Sequence, residues 1–303
     1  MTRSGSSHWE IGEGRSLDLT APLIMGILNV TPDSFHDGGI HDEASSAIER
    51  AVQLVSEGAD VIDVGGESTR PGADRIDASE QIRRTVGVIA GLRARSDVAI
   101  SIDTTLASVA EAALEAGADI INDVSAGTDD PAMFDLAAAA RCGLILMHRL
   151  KRPSEDTWSD QYHEEPDYGV SGVVDSVRAA LSERVDAARS AGVSEAAIVV
   201  DPGLGFGKSV DQNLELLSGV PRLSADGRPV LVGASRKSFI GAVSGGEGPG
   251  DRLPGSLAAA TIAVCGGASL IRTHDVLETA RAVRLACLAR GPAEGWMGTS
   301  GGC

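Results

Sequence analysis

Aromatic residues make up only 3% of this 303-residue chain, so its core has to be assembled from Ala, Val, Ile and Leu. Hydrophobic residues as a whole reach 43%, enough for a sizeable core of tightly packed strands and helices. Cysteine is scarce: four, at 142, 265, 287 and 303, with no CxxC pair and no His at metal-ligand spacing. A disulfide framework or a zinc site is not expected, and a reducing, cytoplasmic location is. The opening segment MTRSGSSHWEIGEGRS lacks an apolar signal core, and no run is long enough to span a bilayer. Positive charge is in deficit: Lys+Arg 26 against Asp+Glu 43 leaves a formal net charge of −17. That argues against nucleic acid and anionic membranes as main partners. A small anionic substrate stays possible, because a few cations in one cleft can dominate the local field.

What the chain has is alternation. Short β-branched runs stand at 23–30, 60–65, 99–104, 119–124, 143–148, 197–201, 229–234 and 269–274. Helix-like segments lie between them, at 43–57, 78–94, 105–117, 131–141, 170–191, 210–218, 254–266 and 276–289. In SSAIERAVQLVSEGAD, Ile48, Val52 and Val55 share one helical face and Gly58 is the stop; Gly117 repeats that role in AGAD. Near-continuously apolar strands joined by helices imply a parallel sheet covered on its faces. Eight such units predict an α/β fold, a single TIM (β/α)₈ barrel over 21–291, with an open doubly wound sheet as the alternative. Residues 1–20 read as a polar N-terminal segment and 292–303 as a flexible Gly-rich tail. The polar stretch 149–169, RLKRPSEDTWSDQYHEEPDYG, is a long loop after the fifth strand, and loops of that length are usually functional or disordered.

Barrel chemistry sits at the C-terminal strand ends. There the chain offers Asn29, Asp63, Asp103, Asn122 with Asp123, His148, Asp201, Ser235 with Arg236 and Lys237, and Arg272 with His274. One such group alone reads as a helix cap or a satisfied core residue. Burying them all unpaired would cost on the order of 1–3 kcal/mol each, so a ring around one pocket is the better reading. Acids and amides come from the middle strands and cations from the last two. Arg272 and His274, two apart on a strand, point to the same side. Such a pocket suits a heterocycle carrying a phosphate ester, its ring N–H groups on the carboxylates and its anion on the cations.

Eight stretches carry a family resemblance, in the family's order: MGILNVTPDSF, ADVIDVGGESTRPGA, SIDT, DIINDVSAG, DPGLGFGK, LVGASRKSFIG, GSLAAA and RTHDV. Over about residues 23–290 the chain resembles the dihydropteroate synthase family. The resemblance implies condensation of 6-hydroxymethyl-7,8-dihydropterin diphosphate with para-aminobenzoate, with Mg²⁺ on the diphosphate. It implies pterin-binding positions at Asp103, Asn122, Met147, Asp201, Phe206 and Lys237. Diphosphate positions fall on Asn29, Arg272 and His274, with Asn29 also at the metal. Aminobenzoate positions fall on Thr69, Arg70, Pro71, Ser235 and Lys237, under a lid that includes Asp33 and Phe35. Asp103, Asp201, Lys237, Arg272 and His274 are implied to carry the catalysis, by ionisation-first loss of pyrophosphate. A homodimer packed through the Ala-rich helices 254–266 and 276–289 is implied as well. The rival readings are a pterin-binding methyltransferase barrel, which should lack STRPG, SRKS and the Arg272/His274 pair, and a non-catalytic pterin-binding paralogue. Lys208 reads as a solvated or helix-start residue, His148 as either a site group or a packed strand end, and Asp63 and Glu67 as structural ties. The family often has a short Met- and Gly-containing turn after the fifth strand; RLKRPSEDTWSDQY stands there instead.

Overall fold

A computed structural model describes residues 7–30 and 40–289. Its centre is one parallel sheet rolled into a barrel. Two short strands come first, β1 (His8–Gly12) and β2 (Arg15–Asp18), paired antiparallel. The barrel strands follow: β3 (Leu23–Asn29), β4 (Val61–Gly65), β5 (Ala99–Asp103), β6 (Ile120–Asp123), β7 (Gly143–Met147), β8 (Ile198–Asp201), β9 (Leu231–Val232) and β10 (Leu270–Thr273). Their order is β8-β7-β6-β5-β4-β3-β10-β9, and a parallel bridge from Val200 to Val230 closes β8 onto the start of β9. The (β/α)₈ expectation therefore holds and the open sheet does not.

The helices between strands are α1 (Ile40–Ser56), α2 (Ala78–Arg93), α3 (Ala107–Glu115), α4 (Met133–Ala140), α5 (Gly172–Ser190), α6 (Val210–Ser218), α7 (Val220–Ser224), α8 (Ser238–Val243), α9 (Leu253–Gly266) and α10 (Val276–Ala289). On α1 the most buried face is Ala47, Ala51 and Leu54, with Ile48, Val52 and Val55 packed at its flank. Small residues let the helix lie close to the strands, so the face centre shifts from the bulky residues to the alanines. Gly58 and Gly117 follow their helices at φ +106° and +109°, the left-handed conformation in which a side chain would be strained.

Inside the barrel, alternation along each strand makes layers. The lower layer is apolar: Met25, Val61, Ala99, Ile120, Ile145, Val199, Leu231 and Leu270. Trp9 and Ile11 of the hairpin pack into that cluster from below. Trp9 is fully buried, and its indole N–H donates to the Ala197 carbonyl at 2.8 Å. So part of the segment 1–20, polar by composition, folds as a plug with its apolar residues on one side of a two-stranded ribbon. The opposite end of the barrel is left for chemistry.

Candidate functional site

Two to four residues further along the strands the interior turns polar on most of them. Asn29, Gly65, Asp103 and Asn122 lie in one row of the sheet, each paired with the next. Met147 pairs with Asp201 on the far side. The register thus brings Asn29, Asp103, Asn122, Met147 and Asp201 to the same mouth. Position 65 is a glycine whose missing Cβ would stand 3.6 Å from Asn29 Oδ1 and 3.6 Å from the Asp103 Cβ. The missing Cβ of Gly233 would stand 3.7 Å from the Arg272 Cβ. Both glycines leave room where a side chain would fill the cavity.

Arg272 is held by two carboxylates. Its Nε donates to Asp63 Oδ2 at 2.6 Å and its Nη2 to Asp103 Oδ2 at 2.7 Å. Asn122 Nδ2 donates to the same Asp63 oxygen at 3.0 Å. The reading that sorts acids to one flank and cations to the other is corrected here: the guanidinium reaches across to the carboxylates, because a buried arginine needs counter-charges. Asp63, read as a structural tie, is fully buried and is the acceptor at the centre of this network.

Asp103 Oδ1 has no hydrogen-bond partner, although it is buried. Burial pushes the Asp103 carboxyl up, to about 7, against the pull of Arg272. Burial likewise raises Asp201 to about 6, opposed by the Gly203 N–H, which donates to Asp201 Oδ1 at 2.7 Å, and by Lys237. Beside these acceptors, Val124, Met147 and Phe206 form a small apolar cluster of their own. The Lys237 ammonium stands 4.1 Å from the Phe206 ring centroid, and burial and the nearby Arg272 lower it to about 8. An apolar face with carboxylates and an amide at its edge is what a flat, N–H-bearing heterocycle requires.

The last two strands supply the other end. Ser235 Oγ is 3.0 Å from His274 Nδ1 and also accepts the His274 backbone N–H at 3.2 Å. Burial, with Arg272 and Arg236 nearby, pushes the His274 imidazole down to about 3, so it is neutral at pH 7. Arg236 leaves the group: it is exposed and ion-paired to Asp275. Thr69, Arg70 and Pro71 sit in loop 66–77 after β4, whose ties lead towards β5–β7 rather than to Ser235 and Lys237. Asp33 and Phe35 lie outside the described residues. A cavity of about 430 Å³ opens farther out, between Met147, His148, the loop after β6 and α5; its walls do not include Asp103 or Asp201.

Lys208 is the residue that the sequence misplaces most. It is fully buried, with Nζ 2.8 Å from the Phe206 carbonyl, 3.3 Å from the His148 carbonyl and 3.1 Å from His148 Nδ1. Burial lowers its pKa to about 7, and that of His148 to about 3. No periodicity marks such a lysine, because its burial comes from the return of the Gly-rich loop past β7. Asp123 turns the other way and binds the N–H groups of Ser125 and Gly127 at 2.7 and 2.6 Å.

For a magnesium ion the fit is partial and specific. Among the described residues no group of three or more His, Cys, Asp or Glu is placed to hold a metal. A lone amide oxygen at Asn29 suits only a hard cation that keeps its waters and arrives on phosphate oxygens, as Mg²⁺ does.

A model of the family described as "Pterin binding enzyme" matches residues 25–274. The dihydropteroate synthase of Synechocystis is 43% identical over 87% of this chain and 88% of its own length. A probable bifunctional folylpolyglutamate synthase/dihydropteroate synthase of Haloferax volcanii is 47% identical over 89% of this chain, which spans only 31% of that protein. The structure of Xanthomonas albilineans dihydropteroate synthase with 4-aminobenzoic acid superposes with a TM-score of 0.85 at 41% identity, covering 95% of this chain and 100% of that one. The same enzyme in complex with 7,8-dihydropteroate gives 0.81 at 38% identity over 94% and 99%. With the barrel, the carboxylate mouth and these likenesses together, the chain belongs to the dihydropteroate synthase family of pterin-binding enzymes.

Proposed function

We propose that this chain joins para-aminobenzoate to 6-hydroxymethyl-7,8-dihydropterin diphosphate, forming 7,8-dihydropteroate and pyrophosphate. The observation that carries the reading is the buried, partnerless Asp103 Oδ1 at the C-terminal end of β5, in a barrel mouth that also holds the apolar cluster of Val124, Met147 and Phe206. Such an atom costs about 1–3 kcal/mol until a ligand N–H reaches it. Asp103, Asn122 and Asp201 bind the polar edge of the pterin, with Met147 and Phe206 on its face and Lys237 beside it. The C–O bond to the diphosphate breaks first and its electron pair leaves with pyrophosphate. Asp103 and Asp201 stabilise the cationic character left on the pterin methylene. Arg272 holds Asp103 in place and, with His274, faces the leaving anion. The amine of aminobenzoate then forms the C–N bond and gives up a proton. Thr69, Arg70, Pro71, Ser235 and Lys237 are assigned to that second substrate, with Asp33 and Phe35 as lid.

Asn29 is the protein ligand assigned to Mg²⁺, which when bound neutralises charge on the diphosphate. A homodimer is part of the same reading, supported by the exposed apolar side chains Ile262 on α9 and Leu285 and Leu288 on α10. So is a cytoplasmic location, supported by the free thiols of Cys142 and Cys265. No helix among the described residues is long and apolar enough to cross a membrane. The deciding assay is pyrophosphate release from the pterin diphosphate. Release only when aminobenzoate is added is the expected result; release without it, or none with both substrates, refutes the proposal.

A further inference from the structure

The stretch 149–169 has no role in the chemistry above, yet it is tied to four other loops around the mouth. At its start, Arg149 Nη2 donates to Asp129 Oδ1 at 2.6 Å, with both side chains under a tenth exposed. Asp129, in the loop after β6, takes two more guanidiniums: Arg152 Nε at 3.3 Å and Arg75 Nη2 at 3.4 Å. Arg75 belongs to loop 66–77, which carries Thr69, Arg70 and Pro71, and also donates to Thr105 Oγ1 at 3.0 Å. In the same loop the Gly72 N–H donates to the Pro153 carbonyl at 2.9 Å. Farther along, Asp156 Oδ2 accepts the Gly207 N–H at 2.7 Å, next to Phe206. The Asp156 carboxylate also accepts from Thr157 N and the Tyr162 hydroxyl. The Ser159 N–H donates to Ser238 Oγ at 3.1 Å, one residue past Lys237.

We infer that 149–169 is a strap that sets loop 66–77 against the pterin pocket, with Asp129 and Asp156 as positioning residues at its two fastenings. This rests on the function proposed above. Three guanidiniums gathered at one point repel one another unless a carboxylate sits between them. Burial pushes the Asp129 carboxyl up, but Arg149, Arg152 and Arg75 outweigh it and hold it below its ordinary value. Asp129 therefore fastens loops from β4, β6 and β7 as one ionised centre. Asp156 fastens the strap to the loop that carries Phe206.

The two ends bear on different substrates. Asp129→Asn is expected to raise the KM for aminobenzoate by about fivefold or more and leave that for the pterin diphosphate within about twofold, since a small misplacement of a binding loop is costly. Asp156→Asn is expected to give the reverse split. Arg75→Gln removes the loop's side-chain ties to Asp129 and Thr105 from an exposed position, leaves Asp129 its other two arginines, and should reproduce the aminobenzoate effect even where Asp129→Asn fails to fold. Faster hydrogen exchange over 66–77 in Arg75→Gln is the matching physical signal. Equal changes in both KM values, or no change in Arg75→Gln, overturn the strap. A wild-type protein that releases no pyrophosphate overturns the proposed reaction instead, so the two failures are distinct.

Discussion

At Arg272 the difference between a residue's type and its surroundings is plainest. Read as a cation at a strand end, it belongs to an anion grip; in the barrel it is clasped by Asp63 and Asp103. Arg272→Ala would leave two buried carboxylates unpaired, so about 3–5 kcal/mol of stability should go along with the activity. Calorimetry on the ligand-free variant checks this, and an unchanged Tm would contradict it. Asp201→Asn should instead keep the fold and lower kcat/KM by about 10²-fold or more, since a charge that meets developing cation is lost. The pH dependence has a definite sign. Asp201 titrates at about 6 in the fold against 3.8 ordinarily, so the folded protein binds the proton more tightly than the unfolded chain. That contribution to stability is fully present below about pH 4 and is lost as the pH rises through 6. Activity should run the other way, because the proposed roles of Asp103 and Asp201 need their carboxylates: kcat/KM for the pterin diphosphate is expected to fall as pH drops from about 7 through 6. Asp201→Asn should lessen the stability slope between those values, with Asp103 keeping its own share up to about 7. Asp103, Asn122 and Asp201 were legible as strand-end groups because polar residues closing apolar runs stand out. Asp63 was legible as a strand-end group too, but its place at the centre of the network was not, nor was the burial of Lys208, because both depend on which distant groups these residues touch.

Among the elements, the eight barrel units are written in local pattern, and their boundaries moved for local reasons. The helix expected from 105 starts at Ala107, where Asp130 Oδ2 accepts its N–H at 2.8 Å from another loop. The seventh strand, expected over 229–234, is ordered as a strand only at Leu231–Val232, and the short helices α7 and α8 were not anticipated. Elements of five or six residues are too short to show a period. The hairpin is the larger surprise. Trp9→Ala should cost about 3–5 kcal/mol of stability by emptying the base of the barrel. At a temperature where it stays folded its kcat/KM should match wild type, since the mouth is at the other end; a tenfold loss would mean that the plug shapes the site. Gly203 tests the loop after β8. Its φ is +67°, and an added Cβ would overlap the His148 carbonyl oxygen. Gly203→Ala should push the Phe206 loop off that carbonyl and raise the KM for the pterin diphosphate, with loss of thermal stability.

For the whole molecule, α9 and α10 pack side by side and present Ile262, Leu285 and Leu288 to solvent, at 49%, 69% and 55% exposure. Light scattering should find twice the 31.0 kDa chain mass, and Leu285→Glu with Ile262→Glu should return the single-chain value. A wild-type protein that scatters as one chain rejects the dimer. By itself the sequence determined the number and order of the units, the parallel sheet, and most of the polar groups offered at its mouth. Those follow from spacings of two to four residues, which is the range over which hydrophobic period and strand-end chemistry act. Only the tertiary structure decided that Arg272 pairs with Asp63, 209 positions away, that Lys208 is buried with its ammonium on the Phe206 and His148 carbonyls, and that Trp9 closes the base. Those partners are chosen when the barrel closes and buried charges must find counter-charges, a condition set by the shared interior rather than by any one stretch of chain.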